Sequence, residues 1–275
     1  MTGSPGTTTS SRPTVLVSHL VWPAGLALTV LHTVATLPPT VFVPLDVAFI
    51  ALVVVAVRRS GPLILPAGVL FALASFTGAP TADEPGLMVI NGAALLVAGI
   101  ILLVGFALEA HRLRSPAANV AVALLALGTA GYLANLVARF AIVLAGAAPA
   151  QAAVEDRAWQ AYEYLRGLDG TPDFVVLLLV WLDLLQVAYV VLAYLAAAML
   201  AVACRRAGEL ASGPGALLTA LGAGLSATVI VAAAAATWDT VGAASAAVAF
   251  GLTIPFMSTL LPAVLAAART PRPNR

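Results

Sequence analysis

Residues 117–146 read AANVAVALLALGTAGYLANLVARFAIVLAG, and residues 174–204 read FVVLLLVWLDLLQVAYVVLAYLAAAMLAVAC. Each run is continuously apolar and longer than the roughly 20 residues that carry a helix across a ~30 Å hydrocarbon core. Neither alternates, as a membrane strand of about ten residues would. Both therefore read as long transmembrane helices, joined by a polar segment. Residues three, four and seven apart share a helical face. At ~100° per residue, Tyr132, Asn135 and Arg139 fall within about 60° of arc, and Asp183, Gln186 and Tyr194 within about 80°. Two polar stripes thus lie in consecutive apolar helices, one with a positive charge and one with a negative charge.

Their depths agree. At 1.5 Å per residue, Arg139 lies about 35 Å beyond Pro116, and Asp183 about 33 Å before Arg205. Both fall near one boundary of the hydrocarbon core. Sequential helices are usually neighbours, so Arg139 and Asp183 are placed to pair. A lone charge at the centre of a bilayer costs ~2.5–3.5 kcal/mol on insertion scales, and less near the interface. Two readings of the pair stay open: an ion pair that staples two helices, or the mouth of a polar pocket in which Asn135, Gln186 and Tyr194 run deeper.

Working outward, the rest of the chain has the same character. Of its 275 residues, 61% are hydrophobic and 9% charged, and the mean hydropathy is +1.03. A soluble domain carries about 25% charged residues, and no soluble core could hide this much apolar surface. The expected fold is all-α: a polytopic integral membrane bundle of eight transmembrane helices. Their approximate bounds are 15–36, 40–57, 62–79, 87–110, 117–146, 174–204, 214–236 and 242–268. Pro38 and Pro39 break the first helix from the second, Gly61 and Pro62 open the third, and Pro116 and Pro214 open the fifth and seventh. Residues 1–13 are rich in Ser, Thr, Gly and Pro and read as a disordered tail. The eight-helix domain spans 14–269, and 270–275 form a second tail.

All thirteen basic residues are Arg. Without Lys there is no Schiff-base chemistry for retinal or pyridoxal phosphate and no phosphate-loop lysine. With eight spans, ten of the thirteen fall on one side, around Arg12, Arg58, Arg59, Arg112, Arg114, Arg205, Arg206, Arg269, Arg272 and Arg275. The positive-inside rule makes that side cytoplasmic, with both termini inside. Of the acidic residues, only Glu109 and Glu209 share it. The expected location is a bacterial cytoplasmic membrane. The one long loop, 147–173, lies outside, and its middle, Gln151–Arg166, reads as a short interfacial helix carrying Trp159 and Tyr162. The single cysteine, Cys204, excludes an intrachain disulfide and any CxxC motif.

A short echo links two helix exits. Val57-Arg-Arg-Ser-Gly-Pro-Leu63 follows the second helix, and Cys204-Arg-Arg-Ala-Gly-Glu-Leu210 the sixth. Arg pairs after spans are expected from sidedness alone, and the membrane Asp residues sit at different distances from the two pairs, which argues against a duplication.

Asp46 lies inside the second helix, about 18 Å from its Arg58 end. A carboxylate at that depth must face other helices or water, and such residues are functional candidates. His32, near the outer end of the first helix, falls level with it across the Pro38-Pro39 turn, where a His–Asp contact could move protons. His19 and His111 lie elsewhere, so no metal or haem site is expected, nor any other cofactor. Gly224-Leu-Ser226 lacks the second glycine of a nucleophile elbow.

Three functions are compatible with these residues. The first is a transporter or permease-like subunit handling a small molecule or ion, with Asp46, His32, Tyr132, Asn135, Arg139, Asp183, Gln186 and Tyr194 lining its path. The second is a metal-free membrane enzyme using Asp46 or Asp183 as general acid on a lipid-soluble substrate. The third is a non-catalytic assembly or signalling partner, in which the polar groups only fix helix register. The lipid bilayer is the expected partner, and no nucleic acid is.

Overall fold

The computed structural model describes residues 20–21, 23–25, 27–28, 31, 39–66, 85–144, 173–237 and 257–269. His32, the loop 147–172 with its expected helix, both tails, most of the expected first and third spans and the first half of the eighth lie outside the described residues. All regular structure among the described residues is helical. The helices with defined bounds are α1 (Pro39–Ser60), α2 (Pro85–Leu113), α3 (Pro116–Leu144), α4 (Asp173–Arg206), α5 (Ser212–Thr237) and α6 (Met257–Ala268). A 3-10 turn at Pro62–Ile64 follows α1. Proline stands first in α1, α2 and α3, where its missing N–H is no loss and its fixed φ suits the first turn.

Four of these helices, α2 to α5, are long and apolar enough to cross a membrane. Their outer faces fit that environment. On α2, Ile90, Val97, Ile100, Val104 and Leu108 are exposed at helical spacing, and on α1 so are Val43, Val47, Ile50 and Val54. Apolar stripes this long and continuous suit acyl chains rather than water.

Helix α4 is the axis of the bundle. Of its most apolar stretch, 72% is buried, against 28–39% for α2, α3 and α5. It lies antiparallel to α3 on one side, where Gly128 faces Tyr189 and Leu192, and Gly131 faces Leu185. On the other side it lies antiparallel to α5, where Gly222 faces Tyr194 and Ala198. Lipid is as apolar as a leucine side chain, so membrane helices associate through close packing and interhelical hydrogen bonds. Both occur at the α4–α5 seam, where the buried Ser226 hydroxyl donates to the Val191 carbonyl at 3.0 Å and to Gly222 at 2.9 Å.

The repeated Arg-Arg-x-Gly exits both turn on a glycine of positive φ, but they close differently: the Gly61 N–H donates to the Val57 carbonyl at 3.0 Å. Gly61 and Gly208 have φ of 80° and 72°, the left-handed region that glycine enters without steric cost. At the end of α4 the Glu209 N–H donates to the Cys204 carbonyl and the Gly208 N–H to Arg205, both at 3.0 Å, which is the Schellman pattern. The following leucines, Leu63 and Leu210, are buried. The echo therefore extends to a positive-φ glycine followed by a buried leucine, and no further. Gly208→Ala, with open space around its Cβ, is expected to cost about 1 kcal/mol through backbone strain alone. Thermal unfolding in detergent reads that cost, and an unchanged midpoint would remove the turn from the list of stabilising features.

Candidate functional site: a polar seam between α3 and α4

The antiparallel packing of α3 on α4 determines which polar residues meet. Asn135 is fully buried and Asp183 nearly so, at 0% and 6% exposure. The Asn135 amide donates to the Leu182 backbone carbonyl. Its side-chain oxygen accepts from Arg139 Nε at 3.0 Å. Arg139 Nη2 donates to Asp183 Oδ1 and forms the ion pair expected from equal depth. The Leu182 carbonyl already belongs to the α4 backbone, so Asn135 ties the backbone of one helix to the charged side chain of the other. The Arg139 side chain keeps 28% of its surface exposed, whereas Asp183 keeps 9%. The cation faces the surroundings and the anion lies behind it.

One turn deeper, Tyr132 stacks on Tyr189, with ring centroids 4.6 Å apart and planes 14° apart. Such a pair contributes about 0.5–1.5 kcal/mol beyond its buried area. The sequence singled out Tyr132 but not Tyr189. Tyr189 lies about 120° round α4 from Asp183, off the polar stripe, yet α4 is so enclosed that this face also meets α3.

Gln186 is half-buried and Tyr194 buried. The Tyr194 carbonyl lies at the crossing with Gly222 of α5, so this residue reaches the α4–α5 seam. Asp46 is buried on α1, a helix whose main contacts among the described residues are with the turn at 62–64. His32 lies outside the described residues. No group of three or more His, Cys, Asp or Glu side chains suited to a metal ion occurs among the described residues.

A second charged cluster escaped the sequence reading. Arg112 Nε and Nη2 donate to Glu109 Oε2 at 2.9 and 2.7 Å. Arg112 also forks onto Glu209, through Nη1 to Oε1 and through Nη2 to Oε2 at 2.6 Å. Arg269 Nη1 meets Glu109 Oε1 at 2.7 Å. Glu109 and Glu209 are 5% and 4% exposed. Gly61 lies against Glu109, where a Cβ would sit 3.5 Å from Oε1. The chain of charges Glu209–Arg112–Glu109–Arg269 thus joins the end of α2, the α4–α5 turn and the end of α6, beside the exit of α1. No single stretch carries this pattern. The only local sign is the Glu109–Arg112 spacing of three, which places both on one helical face.

No protein-family model matches the chain, and no curated protein or solved structure matches it either.

Proposed function

We propose that the chain is a multi-pass protein of a bacterial cytoplasmic membrane that handles a small molecule or ion, as a transporter or permease-like subunit, through the α3–α4 polar seam. The observation that carries this reading is the Arg139 arrangement. A permanently charged guanidinium inside an apolar helix is oriented by Asn135 and Asp183 while more than a quarter of its side chain stays exposed. Charged groups in membrane helices are costly and tend to mark substrate or ion paths. Arg139 would meet an anionic group of the substrate. Asp46, with His32, would form the proton- or cation-linked part of the path.

The proposal includes eight spans with both termini cytoplasmic, a domain over 14–269 and tails over 1–13 and 270–275. It is supported by the meeting of Arg112, Glu209, Arg269 and Gly61 at one end. Even numbers of crossings between these points satisfy that meeting, and the positive-inside rule makes that end cytoplasmic. The polar seam then belongs to the outer half.

One observation favours the third reading, a non-catalytic assembly partner. Asn135 uses both ends of its amide within the seam, as a register pin would. Proteoliposomes loaded with a pH-sensitive dye and challenged with monocarboxylates, amino acids and phosphate separate the two. Arg139→Lys keeps the charge but loses the planar fork, and is expected to lower flux of the transported species about tenfold, a ~1.4 kcal/mol effect. Asp46→Asn is expected to abolish proton coupling. Wild-type flux in both variants, or no flux of any class in the parent, sinks the transport reading and leaves the register pin.

A further inference from the structure

We infer that the Glu209–Arg112–Glu109–Arg269 chain is an ionic lock that holds the Arg-rich end of the bundle closed and releases when the protein changes state. The inference deepens the transport reading: a site handled from the outer half needs the opposite end shut while it is loaded.

The cluster joins three segments that are distant in the chain: the end of α2, the α4–α5 turn and the end of α6. Among the described residues, α2 packs chiefly on α3, and α6 chiefly on α4 and the 62–64 turn. The side-chain bridge from Arg112 to Glu209 spans 97 positions in the chain, and the bridge from Arg269 to Glu109 ties in the far end of the sequence. Glu109 serves two arginines and Arg112 serves two glutamates. Losing any one contact therefore weakens its neighbours, which makes release cooperative.

The lock is also incompletely satisfied. Among the described residues, the buried Arg269 Nε and Nη2 have no hydrogen-bond partner. A partly satisfied buried network is less favourable than either a saturated one or an apolar plug. A static seal would be better built from leucine. Two arginines and two glutamates form a closure that can open, because each separated group is readily hydrated once water enters. Arg112 is the entry point for water, since its side chain is 46% exposed while both glutamates are nearly buried.

The chain carries its own reporter. Cys204 is the sole cysteine, is fully buried, and its carbonyl holds the turn that presents Glu209. Opening the lock exposes this turn. The test uses the full-length protein in nanodiscs, where both faces are reachable, and follows reaction of Cys204 with a membrane-impermeant maleimide alongside thermal unfolding of the same sample. Wild type is expected to react slowly. Glu209→Gln, which keeps the shape and removes the charge, is expected to accelerate labelling about tenfold with little loss of unfolding midpoint, as a shift between two folded populations requires.

Labelling that stays at the wild-type rate in both Glu209→Gln and Arg112→Ala overturns the lock. So does labelling that rises only in proportion to unfolded protein, which marks a plain structural tie. The two proposals fail separately. A responsive Cys204 with no flux in any proteoliposome leaves the lock and removes transport. Flux that depends on Arg139 with an inert Cys204 does the reverse.

Discussion

Replacing Asp183 with alanine is expected to destabilise the folded protein by about 3 kcal/mol, the lower end of the cost of stranding one member of a buried ion pair. The lower end applies because Arg139 is partly exposed and recovers some solvation. Arg139→Leu should cost less than Asp183→Ala, although both break the same contact. A carboxylate stranded in apolar surroundings can take up a proton and become neutral, whereas a guanidinium cannot shed its charge. The double replacement Arg139→Leu with Asp183→Leu should return to within about 1 kcal/mol of wild type, since apolar pairs often replace ion pairs at no net cost. Reversible unfolding in mixed micelles measures all three variants. If the double variant is as unstable as Asp183→Ala, the pair holds the helices together more strongly than this argument allows. If it is stable yet inactive in the flux assay, stability and function separate cleanly at the seam.

The second large effect concerns two glycines a half-turn apart on α5. A Cβ at Gly222 would lie 2.7 Å from the Tyr194 carbonyl oxygen and 2.9 Å from the Ala198 Cβ. Neither obstacle is the end of a flexible side chain, so α4 and α5 must move apart. Gly222→Ala is expected to cost about 2 kcal/mol, in the range seen for overpacked cores. A Cβ at Gly224 meets nothing within 4 Å. Gly224→Ala should therefore stabilise the helix by up to about 1 kcal/mol, because alanine loses less backbone entropy than glycine. The same substitution thus changes sign over two positions. Destabilisation by both variants would mean that the outward face of α5 is also packed, against a partner or a second copy.

Much of this architecture was legible in the sequence because the membrane makes simple demands. A helix must be long, apolar and bounded, and Pro39 and Pro116, read as the bounds of the second and fifth spans, stand first in their helices, whereas α2 begins at Pro85, two residues before its expected bound. The Arg139–Asp183 pair was legible for a related reason. Depth in a bilayer can be counted along the chain, and two opposite charges at equal depth in consecutive helices have a strong reason to meet. The Arg112–Glu209 bridge was not legible in this way. It lies among turns at the end of the bundle, where counting residues gives a level but no azimuth. Tyr189 was hidden for another reason: on a helix enclosed on most sides, a polar stripe does not identify the face that meets a given neighbour. Asn135 was read as lining a deeper pocket, whereas it is used level with the ion pair, on the Leu182 carbonyl. Backbone acceptors carry no signature in a side-chain pattern.

The Arg139–Asp183 pair has a consequence for biogenesis. The ribosome makes α3 before α4, so the Arg139 guanidinium reaches the bilayer while Asp183 is still unsynthesised. For that interval the nascent chain holds an uncompensated cation beside lipid, and α3 has every reason to linger near the insertion machinery until its anion arrives. Halves of the protein divided between α3 and α4 should accordingly accumulate only when produced together, each acting as the other's chaperone.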